Sequence, residues 1–169
     1  MKTLHFDSFD SPIGKVLFAL DGDKLCALDF EDFEDRMRTL LARHYGEFEL
    51  VRGPAGSARR IHAALRAYFA GDIRALDSID VSTGGTDFQQ RCWQALRTIA
   101  PGATASYAEQ ARRIGNPKAV RAVGTTNGRN PVAIVLPCHR VIGADGTLTG
   151  YAGGLWRKEW LLRHEGALQ

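Results

Sequence analysis

The sequence predicts two domains, an N-terminal α/β domain and a C-terminal α-helical domain that contains a helix-turn-helix motif. Three observations lead to this fold class. Short apolar runs separated by turn residues fill residues 1–30, a pattern typical of paired strands. After Thr86, helix-capping residues precede apolar side chains at helical spacing. Between these parts, the apolar residues of 71–86 have neither the alternating spacing of a strand nor the spacing of a helix, and the segment contains two adjacent glycines. We therefore predict domains at residues 1–80 and 86–169.

The N-terminal domain is predicted to combine a small sheet with two helices. Three strands are expected in LHFDSF, GKVLFAL and KLCALDF, because Ser11-Pro12 and Asp21-Gly22-Asp23 supply turns between them. Residues 32–45 form a predicted helix, and EFELV, residues 47–51, a fourth strand. A second helix is expected in SARRIHAALRAYFAG, where one face carries Ile61, Leu65, Tyr68 and Phe69.

The C-terminal domain is predicted to begin with a capped helix. Thr86 and Gln89 have the T-x-x-Q spacing of a capping box. The apolar residues that follow share one face, which indicates that Cys92 is a core residue rather than a reactive one. They are Phe88, Cys92, Trp93, Leu96 and Ile99.

Two shorter helices are predicted next. Ser106 and Glu109 form a second capping box, and the helix that they open ends at Gly115. Asn116 is expected to cap a third helix with Pro117 at its first position, where the missing N–H costs nothing. An ordinary αα-hairpin has the same pattern as a helix-turn-helix. The charge favours nucleic acid, since residues 104–130 contain Glu109 against Arg112, Arg113, Lys118, Arg121 and Arg129.

The last third of the chain is predicted to hold a buried strand, a glycine-rich loop and a closing helix. The strand covers Val132 to Leu136, so Pro137 ends it and Cys138 lies at its mouth. GADGTLTGYAGG forms the loop. LWRKEWLLRHEG forms the helix, with an inner face of Leu155, Trp156, Trp160 and Leu161.

Charge is divided unevenly along the chain. The formal net charge is +3, yet residues 1–86 contain 11 Lys and Arg against 14 Asp and Glu, while residues 87–169 contain 11 against 5. The asymmetry indicates a polyanion as partner of the second half, although a solvated basic face gives the same count.

The sequence shows no membrane or export signal. No apolar run approaches the ~20 residues that span a bilayer, and the N-terminus lacks the apolar core of a signal peptide. The three cysteines are widely spaced without a C-x-x-C pair, so no disulfide framework is predicted. We expect a cytoplasmic, monomeric protein with free thiols.

Cys138 has three possible roles on chemical grounds. A lone cysteine is most often buried and inert. A metal ligand would need partners at metal spacing, which the adjacent His139 does not supply. A nucleophile needs help to ionise, which His139 and Arg140 could give as a base and a positive field. These arguments leave the choice open.

Several segments together resemble one known family, the O6-alkylguanine-DNA alkyltransferases, also called methylated-DNA–protein-cysteine methyltransferases. PCHRVIG resembles their active-site signature, and SPIGKV their first strands. The other matching segments are TDFQQRCWQALRTI, SYAEQA, GNPKAVRAVG, NGRNPVAIVL, GTLTGYAGG and RKEWLLRHEG. The resemblance implies a ribonuclease-H-like N-terminal domain and a C-terminal domain with a winged-helix or helix-turn-helix motif.

The resemblance also implies roles for catalytic residues. Cys138 would be the alkyl acceptor, and His139 with Glu165 would form a relay that removes the thiol proton through a water. Tyr107 would rotate a phosphate and protonate the leaving guanine. Asn130 would be the hinge that joins the recognition helix to the active-site segment.

Contacts with damaged duplex DNA follow from the same resemblance. The recognition helix would enter the minor groove, and Arg121 would fill the space that the flipped base leaves. The base would bind between Tyr151, the backbone N–H of Ala152 and the carbonyls of Cys138 and Val141. The full set of expected DNA-binding residues is Pro117, Lys118, Ala119, Arg121, Thr126, Arg129 and Arg140.

The sequence departs from the family pattern at a few positions, among them Ala152, which replaces the serine of some members but keeps the backbone N–H. Gln110 stands where an apolar residue is usual, and it affects expectations about packing rather than chemistry. The zinc site found in some members needs cysteine and histidine ligands near the N-terminus. Asp21 and Cys26 occupy the matching strand positions here, so neither zinc nor another cofactor is predicted. A damage sensor without transfer activity and a cysteine hydrolase are the alternatives. Cys138, His139, Tyr107 and Glu165 argue against the sensor, and a thioether that water cannot cleave argues against the hydrolase.

Overall fold

The computed structural model describes residues 1–52 and 56–169, which pack as two compact units. The structure differs from the predicted domain ranges in residues 131–135, which belong to the first unit. The backbone explains this, because Leu28 N donates to Pro131 O and Ala133 N donates to Leu28 O. The first unit comprises Met1–Gly85 and Pro131–Val135, and the second comprises Thr86–Asn130 and Leu136–Gln169.

The first unit contains a four-stranded sheet in the order β3-β2-β1-β4. The two hairpins are antiparallel, and β4 pairs in parallel with β1. The predicted strands and helices of this half are confirmed, with small shifts of their ends. They are β1 (Lys2–Ser11), β2 (Gly14–Asp21), β3 (Lys24–Phe30), α1 (Glu34–Tyr45), β4 (Phe48–Val51) and α2 (Gly56–Phe69).

The alternation of side chains along β2 explains why the sheet has helices on both faces. Leu17 and Ala19 point toward α1 and pack in one core with its Met37 and Leu41. Phe18, between them in sequence, contacts the ring of His62 on α2. Residues 16–20 of β2 and residues 25–30 of β3 are therefore buried.

The second unit contains four helices and one short pair of parallel strands. The capping box of α3 is present, since Gln89 N donates to Thr86 Oγ1 at 3.1 Å and Thr86 N donates to Gln89 Oε1 at 3.0 Å. At α4, Ser106 Oγ accepts from Glu109 N, which is one of the two bonds of the predicted second capping box. The elements are α3 (Asp87–Leu96), β5 (Ala105–Ser106), α4 (Tyr107–Arg113), α5 (Val120–Asn127), β6 (Val141–Ile142) and α6 (Leu155–His164).

Two predictions about this region were wrong. Helix α5 begins at Val120, because residues 116–119 form a turn closed by Ala119 N and Asn116 O, with Pro117 at the second turn position that proline favours. Residues 132–136 are buried but form no strand beyond one bridge between Val132 and Leu28. The local bond from Val135 N to Ala133 O and the positive φ of Ile134 (69°) turn the chain instead.

The predicted inner face of α6 was also partly wrong. Leu155 and Trp156 are 50% and 56% exposed, whereas Arg157 and Lys158 are buried beside Leu161. Backbone carbonyls of Val141 and of the loop before α6 accept hydrogen bonds from these cations and allow them to be buried. None of the helices in the described part of the chain is long and apolar enough to cross a membrane.

Candidate active site

Cys138 is half-buried at the start of a single 3-10 turn, Cys138–Arg140. The amide of Asn130 holds the turn, since Nδ2 donates to Leu136 O at 2.7 Å and to Cys138 Sγ at 3.3 Å. A hydrogen bond donated to sulfur favours the thiolate over the thiol. The structure therefore places the predicted acceptor and the predicted hinge residue in direct contact.

The side chains of His139, Arg140 and Glu165 form a buried cluster behind the thiol. His139 Nε2 lies 2.8 Å from Glu165 Oε2. Arg140 donates from Nε to Glu165 Oε1 at 2.8 Å and from Nη2 to Oε2 at 3.0 Å, while its Nη1 donates to Ile99 O. Glu165 directly follows α6, so the end of that helix brings the carboxylate to the cysteine segment.

The electrostatics of this cluster favour a neutral imidazole beside an ionised carboxylate. Burial lowers the pKa of His139, and the opposing charge of Glu165 does not reverse the shift. Burial by itself would raise the pKa of Glu165, but His139 and Arg140 outweigh it and hold that pKa well below its usual range. Since a carboxylate only accepts, Nε2 carries the hydrogen and Nδ1 has the basic lone pair.

A pocket of about 460 Å³ opens in front of Cys138. Tyr107, the first residue of α4, contributes its ring, and its hydroxyl donates to Thr149 O at 3.3 Å. A second cavity of about 480 Å³ on α3 and α4 has neither Cys nor His among its described lining residues. The pocket at Cys138 is lined by Tyr107, Gly124, Asn127, Gly128, Cys138, Thr149, Gly150, Tyr151 and Ala152.

The buried cations of α6 hold the loop that forms one wall of this pocket. Lys158 Nζ donates to the carbonyls of Val141 and Thr149, both at 2.6 Å, and of Gly150 at 3.2 Å. Arg157 Nη1 donates to Gly153 O at 3.1 Å. Burial lowers the pKa of Lys158 to about 8, against the opposing influence of Cys138.

This arrangement can perform nucleophilic substitution at a group bound in the pocket. It combines an accessible sulfur, a buried neutral base oriented by a carboxylate, and a cavity with space for a planar ring. The described parts of the site are all in the second unit of the chain.

Comparisons with known proteins agree with this chemistry. Residues 87–167 match the family described as 6-O-methylguanine DNA methyltransferase, DNA binding domain. A methylated-DNA–protein-cysteine methyltransferase of Salmonella typhimurium is 48% identical over 99% of both chains. One of Methanosarcina acetivorans is 43% identical over 97% of this chain and 99% of its own. The chain belongs to the methylated-DNA–protein-cysteine methyltransferase family.

Solved structures of this family share the fold. The Mycobacterium tuberculosis OGT in complex with DNA is 42% identical, with a TM-score of 0.79 over 96% of this chain and 92% of that chain. The O6-methylguanine-DNA methyltransferase of Pyrococcus kodakaraensis is 22% identical, with a TM-score of 0.69, and shows the fold alone. The chain therefore shares its fold with these solved structures over 96% of its length.

Most residues expected to bind DNA lie on the surface. Pro117 and Lys118 are exposed in the turn before α5, and Arg121 is exposed on the first turn of α5. Ala119 is half-buried and Arg129 is exposed just after the helix. Their contacts with DNA stay predictions.

Two of the expected DNA-binding residues are almost fully buried. Arg140 is only 6% exposed, because its guanidinium is used by Glu165 and Ile99. Thr126 is 5% exposed, and its carbonyl accepts from Trp93 Nε1 at 3.0 Å. Both side chains are almost fully enclosed by the protein in this structure, and their contacts with DNA stay predictions.

Two of the residues expected to bind the base line the pocket at Cys138, and a third has a carbonyl that already accepts a hydrogen bond. Tyr151 and Ala152 line the pocket, and the ring of Tyr151 packs edge-on against His139 with centroids 6.5 Å apart. Val141 is buried, and Lys158 donates to its carbonyl, so any bond from a base would share that oxygen.

Sequence reasoning missed Lys158, Arg157 and Asn127 as parts of the site. A signal for the two cations was their position in the first turn of a helix that follows a glycine-rich loop, whose backbone carbonyls are not used in regular secondary structure. Nothing in the local pattern around Asn127 indicates that it lines the pocket, because that depends on the crossing of α4 and α5.

Proposed function

We propose that this protein repairs DNA by transferring the alkyl group of an O6-alkylguanine irreversibly to Sγ of its own Cys138. The observation that carries the proposal is the position of this thiol at the wall of a pocket large enough for a base. Asn130 donates a hydrogen bond to the sulfur, and His139, which follows Cys138 in the sequence, forms a buried pair with Glu165. The names of the relatives support the same reaction.

The proposed reaction is an in-line substitution at carbon. The Cys138 thiol gives its proton to Nδ1 of His139 through a water, and Glu165 stabilises the resulting imidazolium. The sulfur electron pair then forms a bond with the alkyl carbon while the bond from that carbon to guanine O6 breaks. The electron pair of the broken bond stays on guanine, which takes a proton from Tyr107. The thioether has no leaving group, so each molecule reacts once.

The substrate base must leave the duplex to reach the pocket. We infer that α4 and α5 act as a helix-turn-helix that approaches the minor groove, with Arg121 entering the base stack. The exposure of Arg121 and Lys118 supports this, as does the OGT structure in complex with DNA. We also interpret the first unit as ribonuclease-H-like and the protein as a cytoplasmic monomer.

Intact mass spectrometry after incubation with duplex O6-methylguanine DNA tests the proposal. We expect a gain of one methyl group on Cys138, a maximum of one transfer per molecule, and no transfer by Cys138→Ser, which should still bind DNA. A sensor would bind without any mass gain, and a hydrolase would release the methyl group into solution. Either result would refute the proposed reaction.

A further inference from the structure

A buried pair of amide side chains joins α4 to α5. Gln110 is fully buried on α4, and Asn127 is the last residue of α5. Gln110 Nε2 donates to Asn127 Oδ1 at 2.9 Å, and Asn127 Nδ2 donates to Gln110 Oε1 at 2.7 Å.

The backbone of α3 determines how both amides are oriented. Gln110 Nε2 also donates to the carbonyl of Cys92 at 3.2 Å. A carbonyl only accepts, so the nitrogen of Gln110 must face α3 and its oxygen must face Asn127. Reversing Gln110 would set two acceptors against each other, which a buried site does not tolerate. The orientation of Gln110 in turn requires Asn127 to direct Nδ2 toward Gln110 Oε1.

Asn127 also lines the pocket in front of Cys138. A primary amide nitrogen has two N–H groups, and the bond to Gln110 uses one of them. Gln110, in contrast, uses both of its N–H groups, on Asn127 and on Cys92. The second N–H of Asn127 is therefore the donor that the pair does not use, and Asn127 is the residue of the pair that lines the pocket.

We propose that Asn127 donates its second N–H to an acceptor atom of the guanine base in the pocket, and that Gln110 positions Asn127 for this bond. The proposal rests on the proposed function, because it concerns the same site and the same base. Guanine offers O6 and a ring nitrogen as acceptors. A donor whose partner residue holds its direction loses little conformational freedom when the base binds.

Three variants separate a positioning role from simple packing. They are Asn127→Leu, Gln110→Leu and the double variant Gln110→Leu/Asn127→Leu, with Gln94→Leu on the exposed side of α3 as the matched control. Single-turnover rates are measured with duplex O6-methylguanine DNA and with free O6-benzylguanine, alongside the thermal midpoint. The free base requires no flipping, so it isolates contacts with the base itself.

We expect Asn127→Leu to slow transfer from both substrates by about tenfold, since it removes one hydrogen bond to the base. Gln110→Leu should slow transfer less, because the donor remains but loses its fixed direction. The double variant should recover thermal stability, since replacing both partners with apolar groups leaves no unpaired amide. Its transfer should stay as slow as that of Asn127→Leu, whereas Gln94→Leu should match the wild type.

A stable double variant with the wild-type rate would overturn the proposal and make the pair a packing feature. A loss confined to duplex DNA would also overturn it, because the acceptor would then not be on the base. The double variant decides the question if a single variant does not fold. Failure of the wild type to accept any methyl group would instead refute the proposed function itself.

Discussion

The imidazole of His139 and the carboxylate of Glu165 meet at 2.8 Å, and both side chains are completely shielded from solvent. Arg140 binds the same carboxylate, so Glu165 is held from two sides. Because Nε2 of His139 faces this carboxylate, Nδ1 is the nitrogen that can accept a proton from the cysteine. Glu165, which lies 26 residues after His139 in the sequence, therefore determines which imidazole nitrogen takes part in the proposed proton transfer.

Glu165→Gln should slow alkyl transfer by about 100-fold, within the usual range for disrupted general base catalysis. The amide cannot stabilise a protonated His139, and it leaves Arg140 buried without a countercharge. Single-turnover rates with duplex O6-methylguanine DNA measure the effect. Glu159→Gln, on the exposed side of α6, is the matched control and should transfer at the wild-type rate. Equal rates for both variants would show that Glu165 has no part in the relay.

Acid should destabilise the protein through the same carboxylate. The pKa of Glu165 is lower in the folded protein than its ordinary value of 4.5, despite the opposing effect of burial. Its contribution to stability is then fully present above pH 4.5 and is lost as the pH falls through the lower folded value. Thermal midpoints measured below pH 5 should decline less steeply in Glu165→Gln than in the wild type. Parallel curves would contradict the assigned pKa direction.

Cys138 should be the first of the three thiols to react with iodoacetamide at neutral pH. Burial raises the pKa of Cys26 to about 12 and raises the pKa of Cys92, so neither forms a thiolate readily. Cys138 is the half-buried thiol and receives a hydrogen bond from Asn130. Peptide mass spectrometry over time measures the order of labelling. Simultaneous labelling of all three in folded protein would argue against an activated Cys138.

Arg121→Ala should slow repair of duplex DNA strongly and affect transfer from free O6-benzylguanine much less. Arg121 is exposed on α5, and its guanidinium can stack and hydrogen-bond in the space that the flipped base leaves. Lys118→Ala serves as the comparison. It should weaken DNA binding and flatten the salt dependence by roughly one phosphate contact. If Arg121→Ala slowed both substrates by the same factor, its role would be structural.

Lys158→Met should slow transfer from both substrates and lower the thermal midpoint. The substitution removes three hydrogen bonds that hold Val141, Thr149 and Gly150, and a displacement of about 1 Å in a reacting group can cost about 100-fold in rate. Arg163→Met, on the exposed side of the same helix, is the matched control and should leave the rate unchanged. A Lys158→Met protein with the wild-type rate would show that the loop keeps its position without the lysine.

Local sequence patterns were sufficient for much of the fold. The capping box at Thr86, the turn residues between the first strands and the helical spacing in α3 each concern groups within a few residues of one another. Interactions at that range depend little on distant parts of the chain, so the first four strands and most of the helices could be located from the sequence. The same local reasoning failed at residues 132–136 and at the start of α5, where long-range packing decides the backbone. The resemblance to alkyltransferases, which the comparisons confirm, extended this to the reaction.

The tertiary structure decided which polar groups are buried and what satisfies them. The helical spacing of apolar residues predicted that Leu155 and Trp156 face inward on α6. Arg157 and Lys158 are buried instead, because loop carbonyls accept their hydrogen bonds, and a helical pattern cannot reveal those acceptors. Arg140 is buried for the same reason, by a carboxylate 25 residues away. The pairing of Gln110 with Asn127 likewise exists only where α4 crosses α5. Burial of a charged or amide group depends on partners distant in sequence, and only the folded chain brings them together.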